Sequence, residues 1–245
     1  MTKWWHLSWK RVVIALLAVF AVFWLIGETM EWLAPWREAR SMLRDNPCLG
    51  VTPTPMPDRS VAPLSGSQLV LFGISLQTPW NGMGTISLEP GDAEVPFPEQ
   101  HIAIRLFEPG SDWFLNKMWR LTERGQAGKT IVSSYNLMAA EMTVTPDQVK
   151  WWRRPNQNEA TSFLLELKSM NLDGLGTIYT IDSGELHGFQ LGNPAIAPYR
   201  VRLDLYDAAD QHYQFRIDPK DRNRPILTQA EINAMVASIK PIPAH

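Results

Sequence analysis

Residues 12–26 read VVIALLAVFAVFWLI, fifteen apolar positions without a charge, and nothing else in the chain is patterned like them. As a helix this run is about 22 Å long, short of the ~30 Å of a bilayer's hydrocarbon core. Its flanks extend it. Lys10 and Arg11 can snorkel outward along their stems, and Trp4, Trp5 and Trp9 on one side face Trp24, Trp32 and Trp36 on the other. Indole partitions to the headgroup level, so tryptophans framing an apolar run suit the two interfacial belts. The pattern predicts a transmembrane signal anchor over residues 12–27. A cleaved signal peptide is the alternative, but Gly27-Glu28-Thr29-Met30-Glu31 offers a poor cleavage site, and Cys48 lacks a lipoprotein box before it. Two cations directly precede the span and two acids, Glu28 and Glu31, follow it. Residues 1–11 are therefore expected in the cytoplasm and the remainder outside, with the bilayer itself as a partner through residues 12–27.

Helical spacing continues over residues 28–46 as a juxtamembrane stretch, where Pro35 predicts a kink or the start of a second helix and Trp36 suits the headgroups. Asp45-Asn46-Pro47 reads as a stop. Residues 47–66 carry Pro47, Pro53, Pro55, Pro57 and Pro63, which predicts an extended linker able to hold the next domain up to roughly 50 Å from the bilayer.

Residues 67–243 have one continuous globular pattern, of ordinary size for one domain. Strands are expected at 68–75, 84–88 and 102–107. Helices are expected from Ser111 to Leu121, over 130–142, from Thr145 and over 158–170. Four strands then follow in quick succession at 176–181, 185–191, 199–206 and 211–217, antiparallel because tight turns join them. Val201, Leu203 and Leu205 alternate with Arg200, Arg202 and Asp204, which predicts one dry face and one wet face. Thr228 to Glu231 forms a capping box before a last helix with Ile232, Met235, Val236 and Ile239 inward. The order predicts an α+β fold: an antiparallel sheet with packed helices, preceded by one N-terminal transmembrane helix.

Composition narrows the function classes. The 245 residues are 45% hydrophobic and 20% charged, which excludes a disordered, collagen-like or coiled-coil chain. A single cysteine excludes a disulfide framework and a Cys-rich zinc module. Net charge is −2, with residues 1–46 at +2 and the rest at −4, so bulk electrostatic binding of nucleic acid is not expected. Cys48, unpaired and outside the membrane, could link two copies as a homodimer. Eleven tryptophans are many for this length; Trp80, Trp113 and Trp119 are expected in the domain core.

Catalytic signatures are weak. Gly128-Lys129-Thr130 resembles the tail of a phosphate loop, but Glu123 stands where the loop needs glycine. A Ser-His-Asp set can be assembled from Ser133 or Ser134, His187 and Asp182, without the G-x-S-x-G elbow. Asp204, Asp207 and Asp210 recur every third residue beside His212, without the glycine and terminal glutamate of a calcium loop. No cofactor or metal site is expected. The most unusual segment is Lys150-Trp151-Trp152-Arg153-Arg154. Aromatics among cations suit single-stranded nucleic acid, a membrane interface or a protein partner. The alternative is one indole packed on the following helix with the cations in water. Location and charge disfavour nucleic acid.

The phrases LFGISLQTPWNG at 71–82, SSYNLMAAEMTVTPDQ at 133–148, HGFQLGNP at 187–194 and LTQAEINAMVASI at 227–239 resemble an uncharacterised group of bacterial proteins with one N-terminal membrane span, over roughly residues 68–240. The element order is also similar to PsbP-like α+β domains, a likeness of fold alone. That likeness implies a binding or assembly module for an envelope partner at the bacterial inner membrane, with the domain in the periplasm. An envelope hydrolase built on His187 is the alternative.

Overall fold

The computed structural model describes residues 9–107, 117, 133–153 and 155–242. The helix expected from Ser111, with Trp113 and Trp119, lies outside those residues, as do Gly128-Lys129-Thr130 and Arg154.

The apolar run forms the first part of α1, Trp9–Asp45, and the helix carries on through Pro35 as one element. Proline costs the helix one backbone hydrogen bond, and packing offsets the loss here. From Ile14 to Ile26 the large side chains are exposed all round, and this is the one helix among the described residues long and apolar enough to cross a membrane. Beyond Pro35 the surroundings change. Ala39 is buried, and Trp36 and Met42 pack beside Leu137, Val149, Phe163 and Leu164. The second helix expected at Pro35 is therefore absent, and the inner face of residues 36–43 meets protein rather than the membrane surface.

The proline-rich segment is not a free spacer. Asn46 caps a tight turn, Pro47–Gly50, accepting from the Cys48 N–H at 3.2 Å, and the turn drives Leu49 into the core with no exposed surface. β1, Thr54–Pro55, pairs in parallel with Tyr179–Thr180. Further on, the Asn233 amide donates to the carbonyls of Asp58 at 2.8 Å and Ser60 at 2.9 Å, and the Ala62 N–H donates to Ala230. Proline presets an extended backbone and removes donors, which suits a strap along a sheet edge as well as a linker in water. Composition alone does not separate the two.

The expected strand at 68–75 is a hairpin, β2 (Gln68–Leu71) and β3 (Ile74–Gln77), turned at Phe72-Gly73, both with positive φ. The strand expected at 84–88, to return against 68–75, is β4 (Ser87–Glu89), which pairs instead with an unforeseen strand, β5 (Asp92–Pro96), itself paired with β6 (Gln100–Phe107). α2 spans Ser134–Thr143 and α3 Pro155–Leu172. The helix expected at Thr145 is a single 3-10 turn, Pro146–Gln148. β7 (Ile178–Asp182), β8 (His187–Leu191), β9 (Val201–Tyr206) and β10 (His212–Pro219) follow as an antiparallel run. α4, Gln229–Ser238, carries the expected capping box, and β11 is Lys240–Pro241.

The described strands make an eight-stranded sheet, β1-β7-β8-β9-β10-β6-β5-β4, antiparallel except at β1, and a small sheet, β11-β3-β2. The fold is α+β. One sheet face holds Ile104, Leu203, Leu205, Phe215 and Ile217 against α4 and the small sheet. The other lies under α2, α3 and the 47–51 turn, with Leu49, Met142, Leu172 and Tyr206 between them. The face expected to be wet is therefore covered: Asp204 is fully buried, and the Arg202 side chain largely so.

Candidate interaction surface

Residues 150–153 are held outward by anchors on both sides. Before them, Val149 is buried among α1, α2 and α3 side chains. Behind them, the wholly buried Asn158 clamps the turn: its Oδ1 accepts from the Lys150 N–H at 3.2 Å and its Nδ2 donates to the Lys150 carbonyl at 2.9 Å. The Arg153 N–H closes the turn on the Lys150 carbonyl at 3.1 Å. Trp151 and Trp152 have nowhere to go but out, at 54% and 59% exposure. Their rings meet edge to face at 5.7 Å, and the Lys150 ammonium sits 5.5 Å from the Trp152 ring centre. Neither indole packs in the core.

The place of this turn in the fold follows from helix direction. Asn156 and Glu159, at the start of α3, share a cleft with Pro35 and Glu38 of α1, while Leu172 at its end shares a cluster with Leu49. The two helices thus run in the same sense, with the first turns of α3 toward the Pro35 end of their contact. Asp147, in the preceding turn, pairs with Arg40 of α1 at 3.2 Å. The tryptophan pair lies at the end of the domain from which the apolar half of α1 emerges.

The hydrolytic set does not assemble. The Ser133 hydroxyl caps α2, accepting from the Asn136 N–H at 3.0 Å. The Ser134 and Tyr135 N–H groups donate to Asp210 at 2.6 and 3.0 Å. Asp182 stands opposite His187 across the strand pair, but its carboxylate accepts from the Gly184 N–H. His187 spends its ring on Tyr135, edge to face at 4.2 Å, and no hydrogen bond among the described residues joins it to either serine or to Asp182. It belongs to a row of rings in register across four strands, Phe107, His212, Tyr206 and His187, in which His212 stacks on Phe107 at 4.7 Å and on Tyr206 at 4.4 Å. The aspartates near His212 also separate. Asp204 is internal, Asp207 holds its own hairpin through the Ala209 and Gln211 N–H groups, and Asp210 caps α2. Among the described residues no group of three or more His, Cys, Asp or Glu could hold a metal.

Unforeseen is a buried ionic chain between the helices and the sheet. Arg202 meets both oxygens of Asp204, Nη2 on Oδ1 at 3.0 Å and Nε 2.7 Å from Oδ2, and its Nη1 donates to Asn171. Asn171 donates to Glu141 at 2.8 Å, while His212 and Gln214 complete Asp204 at 3.0 Å each. Lys168, also without exposed surface, gives its three donors to the carbonyls of Val51, Met142 and Val144. Burial pushes Asp204 upward, but Arg202 and His212 outweigh it and hold the carboxyl well below its ordinary range. Burial raises Glu141 to about 8 against the pull of Asn171, and lowers Lys168 to about 8 against that of Glu141. A positional signal existed: Glu141 and Lys168 each stand four residues after a leucine of an apolar helix stripe, Leu137 and Leu164, so both face inward. Its groups bond chiefly to one another and to backbone carbonyls of both layers, so the network ties the helices to the sheet.

Cys48 is half-buried rather than exposed, with its Sγ 3.9 Å from the Gly174 carbonyl and beside Gly176. Comparisons with family models, with curated proteins and with solved structures returned no match for this chain.

Proposed function

We propose that this chain is a single-span membrane protein whose C-terminal domain is a binding or assembly module for an envelope partner, at the inner membrane and outside the cytoplasm. The observation that supports it most is α1: a helix exposed and apolar at one end and built into the domain core at the other. Such a helix makes the domain a membrane-proximal body of set height and attitude, which serves docking more than free diffusion of a tethered enzyme. The other uses found for Ser133, Ser134, Asp182 and His187 favour binding over hydrolysis. Cations before the span favour an internal N-terminus.

Two measurements test the reading. A fluorescent reporter inactive outside the cytoplasm, fused at the C-terminus, is expected to stay dark; a bright fusion overturns the orientation. The intact protein, crosslinked in cells and extracted in mild detergent, is expected to carry one defined second species joined to the domain. Crosslinks that are all within one chain, over several growth conditions, overturn the module.

A further inference from the structure

We infer that the Lys150–Arg153 turn is a second membrane contact: the indoles of Trp151 and Trp152 seat in the headgroup layer of the bilayer that α1 crosses, and Lys150 and Arg153 meet anionic lipid phosphates. The inference rests on the reading of α1 as a span.

Three observations carry it. The first is height. Val12 to Ile26 supplies about 22 Å of apolar helix where about 30 Å is needed; shared between the two flanks, the deficit carries the hydrocarbon to the neighbourhood of Gly27 and Glu28, whose carboxylate meets the headgroups. Pro35 then stands about 10 Å farther out, at the outer edge of the headgroup layer, and the first turns of α3 line the same cleft as Pro35, with residues 150–153 just before them, so side chains of indole length on that turn reach the headgroups. The second is chemistry. Two adjacent tryptophans, both more than half exposed and pinned outward by Asn158, are apolar surface with polar N–H groups, the composition of an interfacial belt. The third is charge. Asp147 is already paired with Arg40, and no carboxylate among the described residues pairs with Lys150 or Arg153, so the turn offers uncompensated cations toward the membrane. A lipid surface satisfies all three at once. A protein partner would satisfy the second and third but gains nothing from the height.

The test uses the full chain in vesicles of phosphatidylglycerol and phosphatidylcholine, 1:3, doped with a phospholipid bearing a diazirine on its headgroup. Adducts are mapped by mass spectrometry after illumination. Adducts are expected on residues 150–153 as well as on 9–36, with the former falling about fivefold in vesicles of phosphatidylcholine alone. Trp151→Ser with Trp152→Ser is expected to remove them while leaving those on 9–36 and the thermal midpoint unchanged. Arg153→Glu, which keeps the indoles, is expected to reduce them and carries the test should the double variant fold poorly. Adducts confined to residues 9–36 in every preparation overturn the contact. With a protein crosslink at residue 152 in whole membranes, that result leaves the module of the preceding section standing. Lipid adducts without any partner species overturn the module and leave the membrane contact.

Discussion

Asp204 shows how a single residue joins the sheet to the layer above it. Its carboxylate is fully buried and bonded by Arg202, His212 and Gln214. Asp204→Asn leaves a buried guanidinium short of its counter-charge, and is expected to cost about 3–5 kcal/mol in a denaturant titration of the intact protein. The native carboxyl titrates below its ordinary 3.8, so its stabilisation is present above that pH and is lost as pH falls. Glu141 works the other way. Its native value is near 8 against an ordinary 4.5, so the folded state holds the extra proton, and stability falls as pH rises from 4.5 to 8 and levels above. Lys168, near 8 against 10.5, makes the unfolded state the greater proton binder between those values, and stability rises there. Together the pair predicts a stability minimum near pH 8. Glu141→Gln is expected to flatten the limb between 4.5 and 8, as read from denaturation midpoints across that range. A limb unchanged by the substitution would remove Glu141 as its source.

Among the elements, the 47–66 strap carries more of the structure than its composition suggests. Leu49 fills the junction of α1, α3 and the sheet, and Val51 receives Lys168. Leu49→Ala is expected to cost about 2–5 kcal/mol, whereas a linker residue would cost almost nothing. Equal denaturation midpoints for the variant and the parent would return the segment to the status of a spacer. α1 has a comparable double character. The first half reads as a span from its unbroken apolar run, but the second half looks merely amphipathic, and only the stripes of α2 and α3 show what its inner face meets.

For the whole molecule, the strap and the second half of α1 pack the domain directly against the helix that carries the apolar run, in place of the expected stand-off of tens of ångströms. That arrangement also buries half of Cys48 against Gly174 and Gly176. Non-reducing electrophoresis of the intact protein is expected to show monomer, with the thiol reacting slowly until denaturant is added. A reducible dimer would show that the 47–50 turn opens.

Periodicity alone determined the long apolar helix, the antiparallel run from β7 to β10, the capped final helix and the α+β class, because each depends on local spacing that neighbours in the chain enforce. It also singled out Lys150–Arg154, since two adjacent tryptophans among cations are unusual in any setting. What covers a face is not local. Alternation along Arg200 to Tyr206 is the same whether the polar side meets water or a buried ion chain, and the tertiary structure decided for the chain. Proline content is the same in a spacer and in a strap; Leu49, Val51 and Asn233 decided for the strap. The outward pair at 151 and 152 follows from Val149 and Asn158, whose inward packing fixes the turn between them, and its height above the apolar run follows from the parallel sense of α1 and α3. Burial and level are sums over contacts distant in sequence, and only the assembled layers supply them.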